Sequence, residues 1–280
     1  MMIFSAAFLT TLLITSSVQG STAPKPQIII KDLPEYGLNL LPSTDARFLV
    51  ALNAVLKGIV DPAVEADRSF GVLLENQSDV DLVAYTVRWT GTDSAGTTFE
   101  FIRAFYHSQW IDDPNFRIHA GGSGVFAPSL YVTNSHLDFR THASPPHPQR
   151  WERMAEMATV EISLDAALFK DGRFVGPDES RTYEQLMAGP LGRKATMEEL
   201  LARHLKGESD TALLDWMQSV ADARYTFGDL FFPSQLNKQD AARLFLTKHK
   251  SAGAESAFAL AAQVAALPMP NVTRVPYTGK

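Results

Sequence analysis

Apolar and polar positions follow two rhythms along this chain, and the change between them divides it. An early helical stretch comes first: Phe48, Leu52, Val55 and Leu56 recur on one face. Ser43 or Thr44 is placed to cap it, Gly58 suits its C-terminal stop, and Pro62 prevents continuation. The rhythm then changes to period two. Phe70, Val72 and Leu74 alternate up to the turn cluster Asn76-Gln77-Ser78-Asp79, and Val83, Tyr85, Val87 and Trp89 alternate up to Gly91. A strand rich in aromatic and β-branched residues is expected over 98–106, another over 124–133, and another over 160–168. Asp171-Gly172 reads as a two-residue hairpin turn, with Arg173 to Val175 returning. Short turns between strands predict antiparallel pairing rather than βαβ units.

After Gly176-Pro177-Asp178 the period becomes helical. Thr196 and Glu199 form a capping-box pair ahead of Leu200, Leu201 and Leu205. Ser209 caps a helix with Leu213, Leu214, Met217 and Val220 on one face; Asn237 and Asp240 open another; Ser251 opens a last one that Pro268 ends. Strands grouped before helices predict an α+β protein, read here as an immunoglobulin-like antiparallel β-sandwich followed by a helical C-terminal region. The expected organisation is a signal peptide over 1–20, an extended proline-containing leader over 21–43, the sandwich with its N-terminal helix over 44–178, helices over 179–267 and a tail over 268–280.

The N-terminal pattern is an address. Residues Ile3 to Thr15 form an apolar run too short to span a bilayer, small residues follow, and Val18-Gln19-Gly20 fits a cleavage site. The reading is a secreted or periplasmic protein with no transmembrane helix in the mature chain, or one kept on an uncleaved anchor. No cysteine occurs in the 280 residues, which excludes disulfides, thiol catalysis and cysteine-bound metals; together with export it points to a bacterial envelope. A net charge of −6, spread evenly, argues against a nucleic-acid partner.

Candidate chemistry is sparse. Gly121-Gly122-Ser123-Gly124-Val125 has Val where a serine-hydrolase elbow needs glycine, and phosphate-binding and dinucleotide-binding loops are missing from the sequence. Five of the seven histidines fall between 107 and 147: His107, His119, His136, His142 and His147. No cofactor is expected on the main reading; the alternative is a divalent metal held by His136, Asp138 and His142 in an extracytoplasmic hydrolase. Trp110 and Phe116, flanking Ile111-Asp112-Asp113-Pro114, are candidates for a loop platform that stacks on a sugar. Asp165, Asp171 and Asp178 read as strand, turn and cap residues. The favoured function is a non-enzymatic binding or assembly module for a protein or glycan.

The stretch from Val160-Glu161-Ile162-Ser163-Leu164-Asp165 through Phe169-Lys170-Asp171-Gly172-Arg173 to Phe174-Val175-Gly176-Pro177-Asp178 resembles a segment of uncharacterised secreted bacterial proteins. There, a strand with Leu-Asp leads through an Asp-Gly turn into Phe-Val-Gly-Pro-Asp. The resemblance implies an exported protein and carries over no catalytic residue.

Overall fold

A computed structural model of the chain describes residues 25–56, 68–105, 117–128, 130–133, 153–223 and 233–279. Strands β1 (Gln27–Lys31), β4 (Leu82–Thr92), β5 (Thr98–Phe105), β8 (Thr159–Phe169), β9 (Arg173–Val175) and β10 (Thr273–Arg274) form a 6-stranded sheet. Its order is β10-β9-β8-β4-β5, with β1 pairing the first half of β8. Strands β2 (Leu38–Pro42), β3 (Val72–Asn76), β6 (Ser123–Ala127) and β7 (Leu130–Thr133) form a second, 4-stranded sheet in the order β2-β3-β6-β7.

The two sheets face each other over one core. Tyr85, Val87 and Trp89 of β4 and Ile162 and Leu164 of β8 meet Leu38, Leu40, Leu74 and Phe126 of the smaller sheet. Trp89 is fully buried, donates from Nε1 to the Phe70 carbonyl at 2.8 Å and lies against Phe101. Each outer face is dressed by a helix. Helix α1 (Ala46–Leu56) lays Phe48, Leu52 and Leu56 on Leu73 and Val125 of the smaller sheet. Helix α2 (Thr182–Leu205) sets Tyr183 and Leu186 on Val83, Ala84, Ala166, Leu168 and Phe174 of the larger one. A second core joins α2, α3 (Asp210–Ala221) and α4 (Pro233–Ala266) through Met197, Leu200, Leu213, Met217, Ala241 and Phe245. The chain is α+β, as its pattern predicts.

Several local expectations are corrected. Not every pairing is antiparallel: β1 runs parallel to β8 and β10 parallel to β9. Both strands come from the ends of the chain and reach their partners through long connections, which is what parallel pairing requires. Within the extended leader, residues 25–43 carry two strands: β1 and β2 edge the two sheets, joined through a turn in which Gly37 takes φ 74°. The strand expected over 124–133 is a β6–β7 hairpin, reversing beside Pro128, which has no N–H for the ladder.

Asp45, not Ser43 or Thr44, caps α1 by accepting from the Arg47 N–H at 2.8 Å; Ser43 instead donates to the Ser69 carbonyl. Thr196 lies inside α2, donating to the Gly192 carbonyl at 2.8 Å, and Glu199 pairs with Arg203. Asn237 and Asp240 lie inside α4, where Gln239 and Arg243 donate to the C-terminal carbonyls of Ala223 and Ala221 beyond and at the end of α3. Ser251 precedes a break at Gly253, which takes φ 82° and ψ 172° and separates two helical halves. Ser209 does cap α3, accepting from the Ala212 N–H at 3.3 Å.

Candidate functional site

The densest buried polar group lies where β8, the loop after β9, the start of α2 and the C-terminal tail meet. It begins with an irregularity in β8. Thr86 pairs with Ala166 and Val87 with Leu164, so Asp165 is the extra residue of a β-bulge. With no cross-strand partner, its carbonyl accepts from the Asp178 N–H at 2.8 Å. Its fully buried carboxylate accepts from the Glu179 N–H at 3.0 Å, the Ser180 N–H at 2.9 Å and the Ser180 hydroxyl. Gly176 makes this approach possible: it sits at φ 112°, and a Cβ there would stand 2.5 Å from the Asp165 carbonyl oxygen.

A chain of hydroxyls extends the group across the sheet. Ser180 Oγ and Thr182 Oγ1 are 2.8 Å apart, and Thr182 Oγ1 and Thr86 Oγ1 are 2.7 Å apart. Ser180 Oγ donates to Asp165, and with that one proton committed the chain runs in a single direction: Thr182 donates to Ser180 and Thr86 to Thr182. The segment from Asp165 to Asp178 therefore ties the sandwich to the first turn of α2.

Asp178 forms the second half. Arg181 stands at the N-cap of α2 and provides no side-chain acceptor. Asp178 substitutes, accepting from the Tyr183 N–H at 3.1 Å and pairing with Arg274 of the tail at 3.0 Å. Its side chain is only 2% exposed. Burial pushes its carboxyl above the usual range, the Asp165 charge pushes the same way, and the Tyr183 N–H and the Arg274 guanidinium only partly offset them.

A carboxyl with a raised folded pKa contributes stability that is fully present below its unfolded pKa of about 3.9 and is lost as pH rises through the folded value. Asp178→Asn removes that titration. Wild-type protein is therefore expected to gain stability relative to Asp178→Asn as pH falls from about 7 to about 4. Urea midpoints of both proteins at the two pH values check this, and a pH-independent difference contradicts it.

Beside this group, Arg88 bridges Glu179 at 2.5 Å and Glu100 at 3.3 Å. Arg88 Nε, Ser163 Oγ and Thr90 Oγ1, neighbours on the outer face of β4 and β8, are buried without a partner among the described residues.

Four further aspartates of this part pin loops. Asp93 accepts from the Thr97 and Ala95 N–H groups, Asp81 from the Ala120 N–H, Asp45 from Arg47, and Asp171 from the Arg173 N–H. The Thr97 N–H holds Asp93, the Ala120 N–H holds Asp81 and the Arg47 side chain holds Asp45 below the usual carboxylate range. At Asp171 burial pushes upward, but the N–H and guanidinium of Arg173 prevail and the net shift is downward.

Of the residues singled out by sequence, Trp110, Phe116, His136, Asp138 and His142 lie outside the described residues, as do His107 and His147. His119 is described, 61% exposed at its side chain and 3.3 Å from Asp81. Among the described residues no three His, Asp or Glu side chains are placed to hold a metal ion, and no helix is long and apolar enough to cross a membrane. Asp165 and Asp171 take the strand and turn positions read from sequence, and Asp178 supplies the capping acceptor for α2 from three residues before its N-cap, Arg181. The Asp178–Arg274 pair is not evident from the sequence: Val272-Thr273-Arg274-Val275 shows neither the period of a strand nor that of a helix.

The fold and site define an α+β protein whose sandwich and helices are joined by a buried carboxylate knot. The chain matches no family model, no curated protein and no solved structure.

Proposed function

We propose that this is an exported bacterial envelope protein, cleaved after Gly20, that serves as a non-enzymatic binding or assembly module for a protein or glycan. The observation that carries this reading is the employment of its aspartates. Asp45, Asp81, Asp93, Asp165, Asp171 and Asp178 each spend acceptor oxygens on main-chain N–H groups. That use fixes loops on a rigid scaffold, the arrangement a recognition surface needs, whereas a general acid or base must be free to exchange its proton.

We read the sandwich as immunoglobulin-like. Support comes from the facing sheets, from the β9-β8-β4-β5 order and from a buried Trp on β4, a central strand of the larger sheet. The β6–β7 hairpin departs from that plan, because its strands fill their places in the opposite chain order. The step from sandwich to binding is fold-level analogy. The likeness of 160–178 to secreted bacterial proteins supports export.

Two measurements test the proposal. Intact mass of the full chain expressed in a bacterial host is expected to show an envelope protein beginning at Ser21; cytoplasmic protein retaining Met1 overturns export. A broad hydrolase panel is expected to show no turnover; turnover abolished by substituting Asp178 overturns the non-enzymatic reading.

A further inference from the structure

We infer that the β9 edge, with Asp178 and Tyr183, is a recognition groove for an extended apolar-x-basic-apolar segment, filled here by the chain's own tail and open to the same segment of a second copy. This inference is independent of export and of enzymatic inactivity.

The tail is held as an added strand rather than as a continuation of the helices. The Thr273 N–H donates to the Gly172 carbonyl and the Val275 N–H to the Phe174 carbonyl, both at 2.8 Å. Side chains supply selectivity beyond these main-chain bonds, as in other cases of strand addition. Val272 packs on the outer-face cluster of Phe174 and Leu186, and Val275 on the sandwich core. Between them, Arg274 reaches the buried Asp178 carboxylate at 3.0 Å and lies 5.8 Å from the Tyr183 ring centre. The groove is shaped for this backbone: a Cβ on Gly172 would stand 2.2 Å from the Asn271 carbonyl oxygen.

Exchange follows from the hinge. Lys194 pins the end of α4 by donating to the Ala265 and Leu267 carbonyls. Pro268 and Pro270 follow at once, and the Val272 N–H donates to the Pro270 carbonyl at 3.0 Å, a γ-turn immediately before the strand. A short, tightly turned hinge is released when the strand leaves for a second copy, which offers the identical groove. Thr273 and Arg274 are exposed and Val272 and Val275 half-buried, so departure uncovers little apolar surface of the tail, and the Asp178 carboxylate it leaves is paired again by Arg274 of the second copy. At low concentration the tethered tail outcompetes any free one; at high concentration copies exchange.

The test uses the full chain and a labelled peptide of residues 268–280. In the Arg274→Glu chain the resident tail is loosened, so the wild-type peptide is expected to bind saturably. Binding to the wild-type chain is expected to be at least about tenfold weaker, because its own tail competes. A peptide carrying Arg274→Glu is expected not to bind, and differently tagged wild-type copies are expected to co-purify after concentrated incubation.

Failure of the peptide to bind both the Arg274→Glu chain and a Val272→Asp/Val275→Asp chain, each with wild-type circular dichroism, overturns the groove. Equal binding of the Arg274→Glu peptide overturns its selectivity. Peptide binding without co-purification of tagged copies overturns the second copy as occupant.

Discussion

Asp165→Ala is expected to lower the unfolding free energy by about 4 kcal/mol, with a fall in Tm of about 10 °C. The carboxylate is fully buried and receives two main-chain N–H groups and one hydroxyl. Removing one partner of a buried bond strands the other, at about 1–3 kcal/mol per group and more for bonds to charge. Three donors lose their acceptor together. The sum is moderated because the Ser180 hydroxyl can turn back toward Thr182, 2.8 Å away. Asn in place of Asp keeps the shape but offers one oxygen and places an NH₂ group against donors, so Asp165→Asn is expected to recover less than half of the loss.

Urea unfolding gives the total, and amide exchange locates it. The Glu179 and Ser180 N–H groups should exchange much faster in Asp165→Ala while those of β4 keep their order of protection. A loss under about 1 kcal/mol would show that Asp165 is a bystander in the joint.

The knot also explains which features were legible in the sequence. Strands β3, β4 and β8 announce themselves because one face of each is apolar and the period is local. The Asp171-Gly172 hairpin is legible for the same reason, since its chemistry lies within adjacent residues. The start of α2 is not legible: Gly189, Pro190 and Gly192 look like punctuation, yet they lie inside the helix, with both glycines buried in its packed face. The Thr196–Glu199 capping-box pattern ahead of Leu200 falls within that helix for the same reason: a local spacing does not report where a helix begins.

The residues of the knot were visible, but their partners were not. Asp165 bonds to residues 14 and 15 positions away. It can do so only because a bulge removes its cross-strand partner, and no spacing rule reports a bulge. Asp178 and Arg274 are further apart still, and parallel β9–β10 pairing depends on the whole helical region returning the tail to the sheet. The aromatic and histidine candidates come from the weakly patterned stretch 107–157, where neither period gives direction.

Gly176→Ala is the second large effect, at an expected cost of about 3 kcal/mol, and it tests whether the knot acts as one unit. At φ 112° a residue with a side chain is strained wherever it points. The new methyl would also meet the Asp165 carbonyl oxygen at 2.5 Å and the Ala166 Cα at 3.1 Å, and both belong to backbone that cannot swing aside. Relief requires the loop to lift from β8. That breaks the bond from the Asp178 N–H to the Asp165 carbonyl and draws Glu179 and Ser180 away from the carboxylate. Gly176→Ala thereby removes much of what Asp165→Ala removes. The double variant is expected to fall short of the summed single losses by about 1–2 kcal/mol, the size of coupling seen between residues sharing one network. Strict additivity would mean that the bulge and the glycine turn are separate features that merely adjoin. Lifting the loop also displaces Asp178 from Arg274, so the variant should free the tail as well, read as faster proteolysis after Arg274 while β4 and β8 stay protected.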